Sequence, residues 1–168
     1  AMVLVAAIAA GVIINAASTV ADQARETSDD SIASVSNGIW VESVIGDTSS
    51  GSRTIDTLRL QYSKVPGSKT VNLNNATWVV EADQTTETIN ASDSFVTLNS
   101  ITSIDQSGKL EENEDVIEVE IDLTSSSLDE LSQGSTVRVI SNPPEGSEWT
   151  STYNTPKYVP EEEGSVII

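Results

Sequence analysis

The side chains best able to do chemistry in this sequence are carboxylates. The chain holds 26 Asp and Glu against 8 Lys and Arg, with no His and no Cys, for a formal net charge of −18. Two carboxylates on neighbouring strands can act as acid and base on a glycosidic bond. In so acidic a chain such pairs arise freely, so pairing alone indicates nothing. Without His or Cys, the common triads and thiol mechanisms have no members. No Gly-rich phosphate loop of either standard spacing occurs. The run Glu111-Glu112-Asn113-Glu114-Asp115 is oxygen-rich, as Ca2+ loops are. It lacks the EF-hand spacing and a central Gly, so it reads as a solvated loop. No enzyme, metal site or cofactor is expected. Two N-glycosylation sequons, Asn75-Ala76-Thr77 and Asn90-Ala91-Ser92, fall near predicted loop ends. On an exported chain they make Asn75 and Asn90 glycan acceptors. Trp40, Trp78 and Trp149 are expected to pack within or between strands rather than to form a ligand platform.

The elements that carry these residues divide into two kinds. Ala1 to Ala21 has no charge, and its only polar side chains are Asn15, Ser18 and Thr19. As a helix it spans roughly 30 Å, the thickness of a bilayer core. It has no polar stripe, so it cannot lie on a globular domain with one side wet. Lipid or other helices must bury it. A secretory signal would carry basic residues ahead of its apolar core, and none precedes Asp22. A membrane anchor and an assembly helix both remain. Small residues at four-residue spacing, Ala6 with Ala10 and Ala7 with Gly11, suit close helix packing. They equally reflect the helix propensity of Ala. The helical pattern continues in more polar form, with Asp22, Arg25, Glu26, Asp29 and Asp30 facing water. It is expected to end between Asp30 and Asn37, at the Asn37-Gly38 stop signal.

From Gly38 the apolar period changes to two. IWVESVIG, TIDTLRLQYSK, ATWVVEAD, SFVTLNSITSI, VIEVEIDL, STVRVIS and GSVII read as strands, separated by Gly, Asn, Asp and Ser turns. SSLDELS is read as one short helical turn. The fold class is therefore α+β: a long N-terminal hydrophobic helix followed by an antiparallel, Ig-like β-sandwich. Residues 1–36 form the helix and 37–168 the sandwich. The acidity excludes nucleic acid, whose phosphates need clustered Lys and Arg. It also disfavours adhesion to an anionic membrane surface. Such a surface suits high salt, where the Debye length falls to about 3 Å at 1 M.

AMVLVAAIAAGVIINAA, a Ser/Asp-rich helix end, and then VSNGIWVESVIG resemble the start of an archaeal flagellin (archaellin), most of all the acidic versions of halophilic archaea. LRLQYSKVPGSKTVNLNNATWVV is similar to that family's first strands, and the closing STVRVIS, TPKYVP and GSVII fit its end. In the family a further short run of Gly-containing apolar residues precedes the segment that matches Ala1. The resemblance implies a type IV pilin-like subunit of an extracellular swimming filament. It implies a membrane stage during export only, trimming by a prepilin-type peptidase, and assembly by an ATP-driven platform. The partners are then identical or paralogous subunits in a helical polymer. Val3, Leu4, Ala7, Ile8, Gly11, Val12 and Ile14 are the expected helix-bundle contacts. An adhesive pilin, or a membrane-anchored binding module displaying its sandwich, shares the same elements.

Overall fold

The composition of the first fifth of the chain dictates one long helix. In the computed structural model, which describes residues 2–83, 85–102 and 108–168, α1 runs Met2–Ser36 and is 35 residues long. Ala-rich sequence favours the helix, and nothing interrupts it until Asn37-Gly38. Thr19 and Ser36 return their hydroxyls to the carbonyls of Asn15 and Ile32 at 3.0 and 2.7 Å, so polar groups inside the helix are satisfied locally.

Beyond Gly38 the chain is β-structure: β1 Ile39–Thr48, β2 Thr57–Lys64, β3 Val71–Asn72, β4 Thr77–Ala82, β5 Thr85–Asn90, β6 Val96–Ser100, β7 Lys109–Leu110, β8 Ile117–Asp122, β9 Thr136–Asn142, β10 Trp149–Asn154 and β11 Gly164–Ile167. One sheet has the order β11-β1-β2-β8-β6, a second β10-β9-β4-β5, and β3 pairs with β7 in a small third ladder. All pairings are antiparallel. Read as A-B-E-D against G-F-C-C′, with β11 added beside the first strand, the order is that of an immunoglobulin sandwich.

Alternation explains the core. Leu58, Leu60 and Tyr62 of β2, Trp78, Val80 and Ala82 of β4, Ile117, Val119 and Ile121 of β8, and Val137 and Val139 of β9 form one buried cluster. Arg59 and Gln61 take the outer face and bond across it, Arg59 to Asp47 at 2.8 Å and Gln61 to Glu118 at 3.1 Å. An antibody domain joins its B and F strands by a disulfide packed on a Trp of strand C. Here the same three strands are joined without cysteine. Tyr62 of β2 shares a 2.7 Å hydrogen bond with Ser141 of β9, and its ring lies 6.4 Å from that of Trp78 on β4.

Several sequence expectations need correction. TTETIN and WTSTYN, absent from the expected strands, are the edge strands β5 and β10. Thr-rich strands at a sheet edge bury few apolar groups, so their alternation is faint. Of the three tryptophans only Trp78 belongs to the core, whereas Trp40 and Trp149 are exposed. SSLDELS makes no helical turn. Single 3-10 turns form instead at Leu73–Asn75 and Leu123–Ser125, capped by Asn72 and Asp122. In each, the capping carboxylate or amide oxygen accepts a backbone N–H two residues on. Hydrogen bonds from Thr124 hold the Asp122 carboxyl below the usual carboxylate range. The C-terminal part of SFVTLNSITSI, Ser103 and Ile104, lies outside the described residues.

Two consequences are testable. Gly46 of β1 has no room for a side chain: an added Cβ would sit 2.7 Å from Ile55 Cδ1 and 2.9 Å from Ile168 Cδ1. Gly46→Ala is expected to lower stability by about 1–3 kcal/mol, as overpacking does, read as a fall in the urea midpoint. The second concerns pH. Burial pushes the Tyr62 phenol well above its usual 10.0, and the hydrogen bond to Ser141 only partly opposes this. An acid whose folded pKa is raised contributes stability that is complete below its unfolded pKa and is lost as pH climbs towards the folded one. Unfolding midpoints should therefore fall above pH 10. Tyr62→Phe should be less stable at pH 7, by about 1–3 kcal/mol for the orphaned Ser141 hydroxyl. Its alkaline fall should be shallower, with the part due to half-buried Tyr153 remaining.

Candidate functional site

The surface that most needs a partner is α1 itself. Among the expected contact residues, exposure runs from 61% at Ile8 to 84% at Val3, with Val12 and Ile14 between. Ala7 and Gly11 are exposed as well, and beyond the adjoining backbone of its own helix nothing among the described residues comes within 4 Å of the Cβ position of Gly11. The Leu4 side chain lies outside the described residues. By length and hydropathy, the segment Ala6–Asp29 could cross a membrane, and none of it is buried within the subunit. The structure thus places the described contact residues on a bare rod and, among the described residues, brings none of them against the sandwich. Each aliphatic side chain left in water forgoes roughly 1.5–3 kcal/mol of burial free energy. The rod is not uniform. Asp22, Arg25, Glu26 and Asp29 give its domain-proximal half a charged surface, and all four are exposed.

The root of the rod is fixed, which the sequence did not reveal. Asn37 is buried, accepts the Lys69 N–H on Oδ1 at 2.9 Å, and accepts the Ser147 N–H on its carbonyl at 2.8 Å. Ser68 Oγ accepts the Gly38 N–H at 3.0 Å and donates to the Ser36 carbonyl at 3.3 Å. The Gly38 carbonyl accepts from Val65 at 2.9 Å. Gly146 allows the close approach on the far side, since a Cβ there would meet the Asn37 carbonyl at 2.9 Å. Two loops distant in sequence thus clamp Ser36, the last residue of the helix, and the two residues that follow it. Asn-Gly read only as a stop signal because both partners lie some 30 residues or more away.

The other candidates fare differently. Asn75 and Asn90 are both exposed. The sequons meet: Thr77 pairs with Asn90 in the β4–β5 ladder, and the Ala91 N–H reaches the Ala76 carbonyl at 3.2 Å. Asp115, in the acidic run, spends one carboxylate oxygen on the backbone N–H groups of Glu111 and Glu112 at 2.8 and 2.7 Å. A neighbouring carbonyl, that of Glu111, takes the Lys64 ammonium. Among the described residues, no group of three or more acidic side chains gathers as metal ligands would. A shallow hollow between Asp47, Asp56, Arg59 and Glu163 is mostly polar, with Asp56 bonded by Ser49 and Arg59 already paired to Asp47.

A family model described as archaeal-type flagellin matches residues 1–153. The chain is 33% identical over 165 residues to flagellin B2 of Halobacterium salinarum, covering 94% of this chain and 83% of that one. It is 38% identical over 106 residues to flagellin B1 of Natrialba magadii, covering 62% of this chain and 53% of that one. Its fold is similar to that in a structure of the archaeal flagellum of Methanospirillum hungatei, with a TM-score of 0.71 at 16% identity over 99% of this chain and 92% of that one. It is also similar to the crystal structure of archaeal flagellin FlaB1 from Methanocaldococcus jannaschii, with a TM-score of 0.66 at 17% identity over 78% and 96%.

Proposed function

Because the chain belongs to the archaeal-type flagellin family, we propose that it works as the structural subunit of an extracellular archaeal swimming filament, with α1 as the polymerising element. The observation that carries the mechanism is the exposure of α1 along its described length. Residues 1–36 then make the filament core and 37–168 its outer shell. Val3, Leu4, Ala7, Ile8, Gly11, Val12 and Ile14 pack helix on helix between copies. Before assembly the same surface sits in lipid. Moving it from lipid to other helices gains little hydrophobic free energy, so close packing at small residues has to favour the polymer. The contacts are head-to-tail and non-closing, as a screw operation requires. Identical or paralogous subunits are the partners. A prepilin-type peptidase and an ATP-driven platform supply processing and extraction. The shell carries glycans at Asn75 and Asn90, and its role is mechanical, with no catalysis.

Molar salt screens the shell's repulsion, and dilution restores it. Material sheared from cells in molar NaCl should sediment as filaments containing this chain and should dissociate on dilution. A well-dissolved monomer with α1 intact, in molar NaCl without lipid or detergent, would overturn the reading. A finer test is Gly11→Leu, which adds bulk where nothing in the subunit stands in its way. Its filament yield should fall several-fold with an unchanged urea midpoint for the shell. Normal yield would remove Gly11 from the closest helix contact.

A further inference from the structure

The joint between α1 and the shell contains a dipeptide open to spontaneous chemistry. Asn37-Gly38 is the only Asn followed by Gly in the sequence. In such a pair no side chain hinders the Gly nitrogen, which can close on the amide carbon of the Asn side chain. The fold nevertheless uses both residues. Asn37 Oδ1 accepts the Lys69 N–H at 2.9 Å, which no aliphatic side chain could do. A Cβ on residue 38 would press on Val65 Cγ2 at 3.0 Å. The same contacts restrain the two reacting groups. The proton of the Gly38 nitrogen is held by Ser68 Oγ at 3.0 Å, and the Gly38 carbonyl is held by the Val65 N–H at 2.9 Å. Asn37 is fully buried, and its Nδ2 has no acceptor among the described residues.

We propose that Asn37 is a latent deamidation site and that the Ser68 hydroxyl keeps it closed. For the reaction to start, the Gly38 nitrogen must leave Ser68 and give up its proton to solvent base. It then attacks Cγ of Asn37. A C–N bond forms to the Gly38 nitrogen, the bond to Nδ2 breaks, and ammonia leaves with a proton from water. The five-membered succinimide takes up one water at either ring carbonyl and opens to aspartate or isoaspartate. Nothing is oxidised or reduced; the balance is one water in and one ammonia out. Either product is hostile to the joint. Aspartate places a charge where Nδ2 is now buried without an acceptor. Isoaspartate lengthens the backbone by one carbon between the Asn37 and Gly38 carbonyls, which hold the Ser147 and Val65 N–H groups. Deamidation is therefore an ageing route that loosens rod from shell, and it stands whether or not the chain is in a polymer.

The test follows the full chain at mildly alkaline pH, by mass spectrometry of the peptide that contains Asn37. In the folded, unsubstituted chain deamidation there should be slower than in concentrated urea by about tenfold or more, since only an opened joint reacts. Ser68→Ala should raise the native rate about tenfold, because losing one hydrogen bond makes local opening that much more frequent. Tyr62→Phe, which loses a hydrogen bond in the core away from the joint, should leave the native rate near that of the unsubstituted chain. The unsubstituted chain gives a second reading that needs no variant. Below its unfolding transition the rate should be nearly flat in urea, as local opening exposes little surface. A native rate equal to that in concentrated urea would overturn the protected site. A Ser68→Ala rate no higher than the unsubstituted one, a Tyr62→Phe effect as large as that of Ser68→Ala, or a steep rise with urea from the start would overturn the role given to Ser68.

Discussion

Val12→Asp is expected to abolish filaments while leaving the sandwich as stable as before. Val12 is 64% exposed and touches nothing in the shell, so the subunit does not register the change. The cost appears only on assembly. An unpaired charge enclosed among helices costs about 3–5 kcal/mol, and every copy in the polymer carries it. The membrane stage is penalised as well, since Asp at the centre of a spanning helix costs about 2.5–3.5 kcal/mol. Salt does not rescue it, because buried charge is screened far less than exposed charge. Sedimentable filament from sheared cells should vanish, and the urea midpoint of the purified chain should not move. Filaments at ordinary yield would show that α1 is not enclosed at this level.

Trp78→Ala should produce the opposite pair of results. Trp78 is fully buried, faces Tyr62 across the sandwich, and lies between Ile89 and Ser141 in the ladders of β4. Truncating a buried Trp costs about 3–5 kcal/mol. Against a typical domain stability of about 5–15 kcal/mol, that removes a large part of the total. No disulfide shares the load, since the chain has no Cys. The urea midpoint should collapse, and filaments should be lost because folded subunits are lost. Together the two variants separate the two tasks proposed for the chain, cohesion between copies by α1 and folding of the shell by its core. A midpoint within error of the unsubstituted chain would show that the cavity closes around the missing ring.

Much of this division was legible in the sequence. The helix could be read because twenty-one residues without charge or polar stripe admit few other states. Strands β2, β4, β8 and β9 could be read because Leu58, Leu60 and Tyr62, or Ile117, Val119 and Ile121, alternate with polar neighbours. Strands β5 and β10 could not, since Thr85 to Asn90 places a single Ile on the inner face and leaves the rest of the strand to pairing. The tryptophans split for a related reason. Trp40 and Trp78 both sit in apolar-rich strands, and only the register against Ser63 and Ser141 decides which one faces in. The exposed apolar residues of α1 were legible as a class, but which of them would meet in the proposed filament depends on the screw operation between copies, which no local pattern encodes. The root clamp depends on Ser68 and Ser147, whose contribution comes from tertiary proximity alone.

That clamp has a mechanical consequence. A subunit whose rod and shell were joined by a loose tether could swivel, and a polymer of such subunits would bend by letting its outer layer drift over its core. Here Asn37, Gly38 and Ser68 tie the end of the rod to the shell by hydrogen bonds. In the proposed filament, torque on an inner bundle of helices would pass through this joint to the outer surface of the same copy. Any change of the filament's shape would then come from whole subunits moving against one another, as stiff spokes rather than as beads on a flexible string.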